Sequence, residues 1–118
     1  MIGSGVVRVA ALSAAVAIAA GAFGAHAAQG KAVEWLHTGA MYQLIHAVAA
    51  IAILRRSRTA ALLMLAGAAL FAFSLYAMAL GAPRWFGAIT PLGGAAMIGG
   101  WLWLAFGGSA APVRTIDD

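Results

Sequence analysis

Cysteine is absent from the chain, which excludes disulfides, thiolate catalysis, Cys-ligated zinc and iron–sulfur clusters. Charge is nearly as scarce. Only 8% of the 118 residues are Asp, Glu, Lys or Arg, against roughly a quarter in ordinary globular proteins. Hydrolase motifs, phosphate-binding loops and EF-hand spacings are also missing. What remains is apolar, with hydrophobic residues making up 64% of the chain. A soluble fold of this size exposes too large a share of its surface to hide so much apolar material, whereas a lipid bilayer accepts it. The net charge of +4 does not indicate nucleic acid, because the basic residues are scattered between apolar runs. A phosphate backbone requires a continuous basic patch.

Residues 9–30, 35–54, 59–83 and 85–113 are free of Asp, Glu, Lys and Arg, and each is long enough for a crossing of about 20 residues. Backbone groups in lipid must pair within their own segment, so each crossing is expected to be a helix. The reading is an all-α membrane protein, one domain over 1–118. It forms a four-transmembrane-helix bundle with helices near 6–28, 35–54, 59–81 and 87–107, followed by a short polar tail, 109–118. Gln29-Gly30-Lys31, Arg55-Arg56-Ser57-Arg58 and Gly81-Ala82-Pro83 mark the breaks. Thr90-Pro91 reads as an N-cap with proline in the first turn, and a helix from Phe86 kinked at Pro91 is the competing start for the fourth crossing. Gly107-Gly108 closes that helix. Arg8, the apolar run and Ala25-His26-Ala27 imitate a secretory leader, but the run is longer than a leader's apolar region and reads as a crossing.

With four crossings, Arg8, Arg55, Arg56, Arg58 and Arg114 share one side of the membrane, and Lys31 and Arg84 the other. The positive-inside rule then predicts both termini in the cytoplasm, N-in and C-in. Trp35, Trp85 and Phe86 fall at the outer interface and Trp103 near the inner one. Small residues allow close helix approach in lipid, and the pairs Ala17/Gly21, Ala95/Gly99 and Ala96/Gly100 are spaced for it. Gly21, Gly24, Gly93, Gly94, Gly99 and Gly100 are the candidate packing glycines.

The ordered landmarks Gly21-Ala-Phe-Gly-Ala-His-Ala27, Tyr42-Gln43-x-x-His46-Ala47, Leu70-Phe71-x-x-Ser74-Leu75-Tyr76, Ile89-Thr90-Pro91-x-Gly93-Gly94 and Gly100-Trp101-Leu102 resemble those of the DUF423 family of small inner-membrane proteins. The resemblance covers nearly the whole chain. It implies a plasma-membrane protein whose molecular function is unassigned.

Polar residues within a membrane are costly and their placement is informative. Tyr42, Gln43, His46, Ser74, Tyr76 and Thr90 form the candidate polar pocket, in the outer half of the bundle and floored by His46 near the midplane. Ser13 is nearly alone in the inner half. At ~100° per residue, Trp35, Gly39, Tyr42, Gln43, His46 and Ala50 share one stripe of the second helix. Such groups commonly join helices by hydrogen bonds, while a histidine that titrates near neutral pH is also suited to proton relay. His26, Glu34 and His37 are weak candidates for a metal, since Glu34-x-x-His37 has the spacing of carboxylate-bridged sites, which use two such motifs. No cofactor is expected. A bis-histidine haem is disfavoured, because His26 and His46 differ by roughly 15 Å in height at the helical rise.

The expected function is therefore non-catalytic, that of an accessory or scaffold in the membrane. Its partners would be the lipid bilayer and a larger membrane complex or homo-oligomer. The alternative is a proton or small-solute carrier or channel component built around His46.

Overall fold

The structure, a computed structural model, describes residues 4–107. Its helices are α1 (Ser4–His26), α2 (Lys31–Ile53), α3 (Arg58–Ala79) and α4 (Thr90–Phe106), with a short 3-10 helix at Arg84–Ala88 before α4. There is no strand among the described residues. Each helix, counting the 3-10 turn with α4, is long and apolar enough to span a membrane. The tail 109–118, with Arg114 in it, and Gly108 lie outside the described residues.

The turns follow from their residues. Gly30 adopts φ +62°, a left-handed conformation that carries little penalty for glycine, and lets α2 start directly after α1. The buried Ser57 caps α3, its Oγ accepting from the Ala60 N–H at 3.0 Å, as serine does at helix starts. At the other end of α3, Gly81 has φ +106°. Its N–H reaches Met78 O and that of Ala82 reaches Ala77 O. This is the paired closure of a Schellman motif, and Pro83 then prevents continuation.

Two boundaries differ by more than two residues from the sequence reading. α2 begins at Lys31 rather than at 35, because its first turn projects beyond the hydrocarbon, where Lys31 and Glu34 are tolerated. Thr90 is the first residue of α4, not its cap. The cap position is Ile89, without a side-chain bond, and the Thr90 hydroxyl is engaged with α3 instead. The fourth crossing therefore begins as a 3-10 turn at Arg84 and becomes α-helical at Thr90, with Pro91 in the first turn.

In packing, α1 lies on α2, α2 on α3 and α3 on α4. α1 makes a minor contact with α3 and none of substance with α4 among the described residues. The faces of α3 explain the arrangement. Leu65, Ala69 and Phe73 look toward α1, Ala72 and Tyr76 toward Gly39 of α2, and Gly67 and Phe71 toward Gly93 of α4. At 100° per residue these are three successive sectors with the α2 sector in the middle, so α1 and α4 lean on opposite sides of the α2/α3 pair.

The buried contacts are mostly alanine: Val6, Ala10, Ala47, Ala50, Ala61 and Leu65 form one cluster, and Leu36, Ala72 and Tyr76 another. Short side chains bring backbones close and raise dispersion contact, the main apolar attraction available between helices in lipid. The long side chains Leu12, Ile18, Ile45, Leu92, Ile98 and Phe106 are exposed and form the lipid-facing surface.

Candidate functional site

Gln43 lies near the middle of α2 and is 1% exposed. It joins three helices. Its Nε2–H donates to Ser13 Oγ on α1 at 3.0 Å, while its Oε1 accepts from the Tyr76 hydroxyl on α3 at 2.7 Å. Tyr76 sits only three residues from the end of α3, yet it reaches the middle of α2. Helical side chains slant toward their own N-terminus, and Gly39 leaves a slot for the ring. A β-carbon at Gly39 would come 2.7 Å from Tyr76 Cε1.

His46 lies one turn beyond Gln43, about 6 Å past the centre of α2 by the helical rise and on the Ile53 side. Trp101 on α4 donates its Nε1–H to His46 Nε2 at 3.0 Å. The indole is a donor only, so Nε2 must carry a lone pair. His46 Nδ1 lies 2.7 Å from Tyr42 O, so the proton belongs on Nδ1. Both ring nitrogens are thus committed in the neutral tautomer. The imidazole is held between the Tyr42 ring, stacked at 6.2 Å, and the Trp101 ring, edge-on at 5.9 Å. Tyr42 itself is exposed, its ring also packed on Phe71 at 4.9 Å.

Ser74 and Thr90 form the third connection. Ser74 Oγ gives its hydrogen to Phe71 O at 2.8 Å, which leaves Thr90 Oγ1 as the donor in their 2.6 Å contact. This pair fastens the start of α4 to α3.

The six candidate pocket residues therefore separate into three bonded groups: Ser13–Gln43–Tyr76, Tyr42–His46–Trp101 and Ser74–Thr90. Every buried side-chain nitrogen or oxygen among the described residues has a partner. Ser13 and Trp101 were not among the candidates. Counting back from the first hairpin would have placed Ser13 opposite Gln43, whereas no spacing rule linked Trp101 to His46. His26, Glu34 and His37 are all exposed, and no group of three His, Cys, Asp or Glu among the described residues is arranged to hold a metal.

Of the candidate packing glycines, Gly24, Gly93 and Gly100 are close to a neighbouring helix. Added β-carbons would meet Leu36 Cβ at 2.9 Å, Gly67 O at 2.6 Å and Met64 Cγ at 2.9 Å, respectively. Gly21 makes an ordinary contact, 3.5 Å to Ala40, and Gly94 barely touches Phe71. Gly99 faces open space and takes no part in packing, because it lies off the Gly93–Gly100 face. Gly39 and Gly67 do the work that spacing assigned elsewhere.

The His46–Trp101 bond has a direct test. His46→Gln retains an acceptor and should leave thermal stability in detergent nearly unchanged. His46→Leu strands the indole N–H in an apolar setting and should cost about 1 kcal/mol. Equal melting of both variants would show that the bond contributes nothing.

Known proteins are similar to this chain over most of its length. A family model described as "Protein of unknown function (DUF423)" matches residues 20–94, from late α1 into the start of α4. A UPF0382 membrane protein of Haemophilus influenzae is 41% identical over 108 residues, covering 82% of this chain and 87% of its own. The UPF0382 membrane protein YwdK of Bacillus subtilis is 38% identical, covering 78% and 85%. The UPF0382 inner membrane protein YgdD of Escherichia coli K12 is 36% identical, covering 83% and 84%. No solved structure matches significantly. The four apolar spans and the relatives' membrane setting agree on a multi-pass inner-membrane protein of unassigned molecular function, and the chain belongs to the DUF423 family.

Proposed function

We propose that the protein is a non-catalytic membrane component, an accessory or scaffold whose helices present a fixed surface to a larger assembly. The observation that carries this reading is the consumption of the polar groups by one another. The bonds Ser13–Gln43–Tyr76, His46–Trp101 and Ser74–Thr90 each cross between helices. Polar residues used in this way fix register and rotation rather than present reactive atoms. An enzyme would need a nucleophile or a proton-transfer group within reach of substrate, whereas His46 has both ring nitrogens committed. Extraction from native membranes in mild detergent should yield the chain in a particle larger than one protomer with its micelle. Recovery solely as free monomer would overturn the reading.

Both termini lie in the cytoplasm in this proposal. Arg8, Arg55, Arg56 and Arg58 gather at one end of the described bundle and Lys31 and Arg84 at the other, which supports that orientation through the positive-inside rule. A reporter active only outside the cytoplasmic membrane, fused after Asp118, should stay silent. Strong activity would reverse the orientation.

A further inference from the structure

We infer that the groove between α1 and α3 binds the acyl chain of an anionic phospholipid, with its phosphate held between Arg8 and Arg58. The inference goes beyond the scaffold reading and holds for either orientation. Because α1 and α4 lean on opposite sides of the α2/α3 pair, the α1 side of α3 is left partly open. The opening is a groove of about 240 Å³ walled by Val9, Leu12 and Val16 of α1 and by Leu65, Ala69 and Phe73 of α3, with Gln43 and Ser13 at its base. From Leu65 to Phe73, at the helical rise, the groove runs about 12 Å along the helix. That is most of one leaflet of a hydrocarbon core about 30 Å thick. The two polar residues at the base bond to each other at 3.0 Å, so an apolar chain can lie over them without stranding a polar atom.

Charge distinguishes the occupant from an arbitrary apolar one. Residues 58, 62, 65, 69 and 73 are spaced by three or four, a single face of α3. The face that walls the groove therefore ends at the exposed Arg58. On α1 the exposed Arg8 immediately precedes Val9 at the same end. Ala10 and Leu65 belong to one buried cluster, so the two arginines belong to the same end of the bundle. Their long side chains can extend toward the headgroups. Glu34, the sole carboxylate among the described residues, lies in the first turn of α2 at the opposite end. A basic mouth on an interhelical apolar slot is the arrangement that selects anionic lipid headgroups.

The test uses the full chain, reconstituted in nanodiscs of equal phosphatidylglycerol and phosphatidylcholine. After release into mild detergent, retained lipid is counted by native mass spectrometry. Phosphatidylglycerol should be retained about tenfold or more over phosphatidylcholine. Arg8→Gln with Arg58→Gln should bring that preference close to parity, since each arginine contributes up to about fivefold. Ala69→Phe fills the groove without altering charge and should abolish retention. Arg55→Gln with Arg56→Gln removes the same charge from the α2–α3 turn and should leave most of the preference in place. Helix content by circular dichroism confirms folding in each case. Equal retention of the two lipids, equal loss from both arginine pairs, or retention unaffected by Ala69→Phe in folded protein would each overturn the proposal. So would a lipid-free chain dimer in place of the lipid complex.

Discussion

Replacing Gly93 by alanine should destabilise the bundle by about 3 kcal/mol, toward the upper end of overpacking costs. The same substitution at Gly99, six residues along the same helix, should change stability by less than about 0.5 kcal/mol, as an unpacked surface position does. The difference lies in what each β-carbon meets. At Gly93 it would collide with backbone, the Gly67 carbonyl at 2.6 Å and the Phe71 Cα at 2.8 Å, so no side-chain rotation relieves the clash and α4 must move off α3. At Gly99 nothing lies within 4 Å. Alanine is also the better helix former, so Gly99→Ala should gain slightly if anything. Unfolding in mixed micelles followed by tryptophan fluorescence, with Trp101 and Trp103 on the displaced helix, measures both variants. Equal effects at the two glycines would show that the α3–α4 seam is looser than the backbone contact implies.

The second large effect is expected at Gln43. Gln43→Leu preserves approximate volume but removes the acceptor for Tyr76 and the donor for Ser13 together, and should cost about 2 kcal/mol. An unpaired buried polar group costs roughly 1–3 kcal/mol, moderated in membranes because the separated helices find other partners. Tyr76→Phe alone should cost about 1 kcal/mol. The double variant should be more stable than the sum of the two losses predicts, because Tyr76→Phe removes the hydroxyl that Gln43→Leu would have stranded. Strict additivity in this cycle would show that the two residues are not coupled.

The crossings were legible because charge-free runs of sufficient length have few alternative readings, and the Gly81-Ala82-Pro83 stop was legible because left-handed glycine before proline is a local signal. The start of α2 was not. Lys31 and Glu34 read as a loop, since the sequence does not reveal how far a helix projects beyond the hydrocarbon. That single turn moves the midpoint of α2 from about residue 44 to residue 42, about 4 Å along the helix. It concealed that Ser13, assigned to the inner half, faces Gln43. The shared stripe of Gly39, Gln43 and His46 was correctly read from helical periodicity, but the partners across it were not, because Tyr76 reaches its target by slanting down α3. Spacing also favoured Ala95/Gly99 over the pairing that forms, Gly93 against Gly67. In a chain rich in alanine and glycine, small-residue intervals occur on every face, and only the rotation of the neighbouring helix selects one.

The order α1 on α2, α2 on α3, α3 on α4 bears on biogenesis. Each helix packs chiefly on the one synthesised just before it, so no crossing waits for a distant segment before it finds its main neighbour, and contacts local in sequence form quickly. As α2 enters the bilayer, Ser13 is already in place to receive the Gln43 amide. Tyr76 arrives next and occupies the remaining acceptor. Trp101 comes last, finding His46 with Nε2 still open and the Gly67 notch unfilled. The fold can therefore be completed in the order in which the ribosome delivers it, each new helix closing a bond that its predecessor left available.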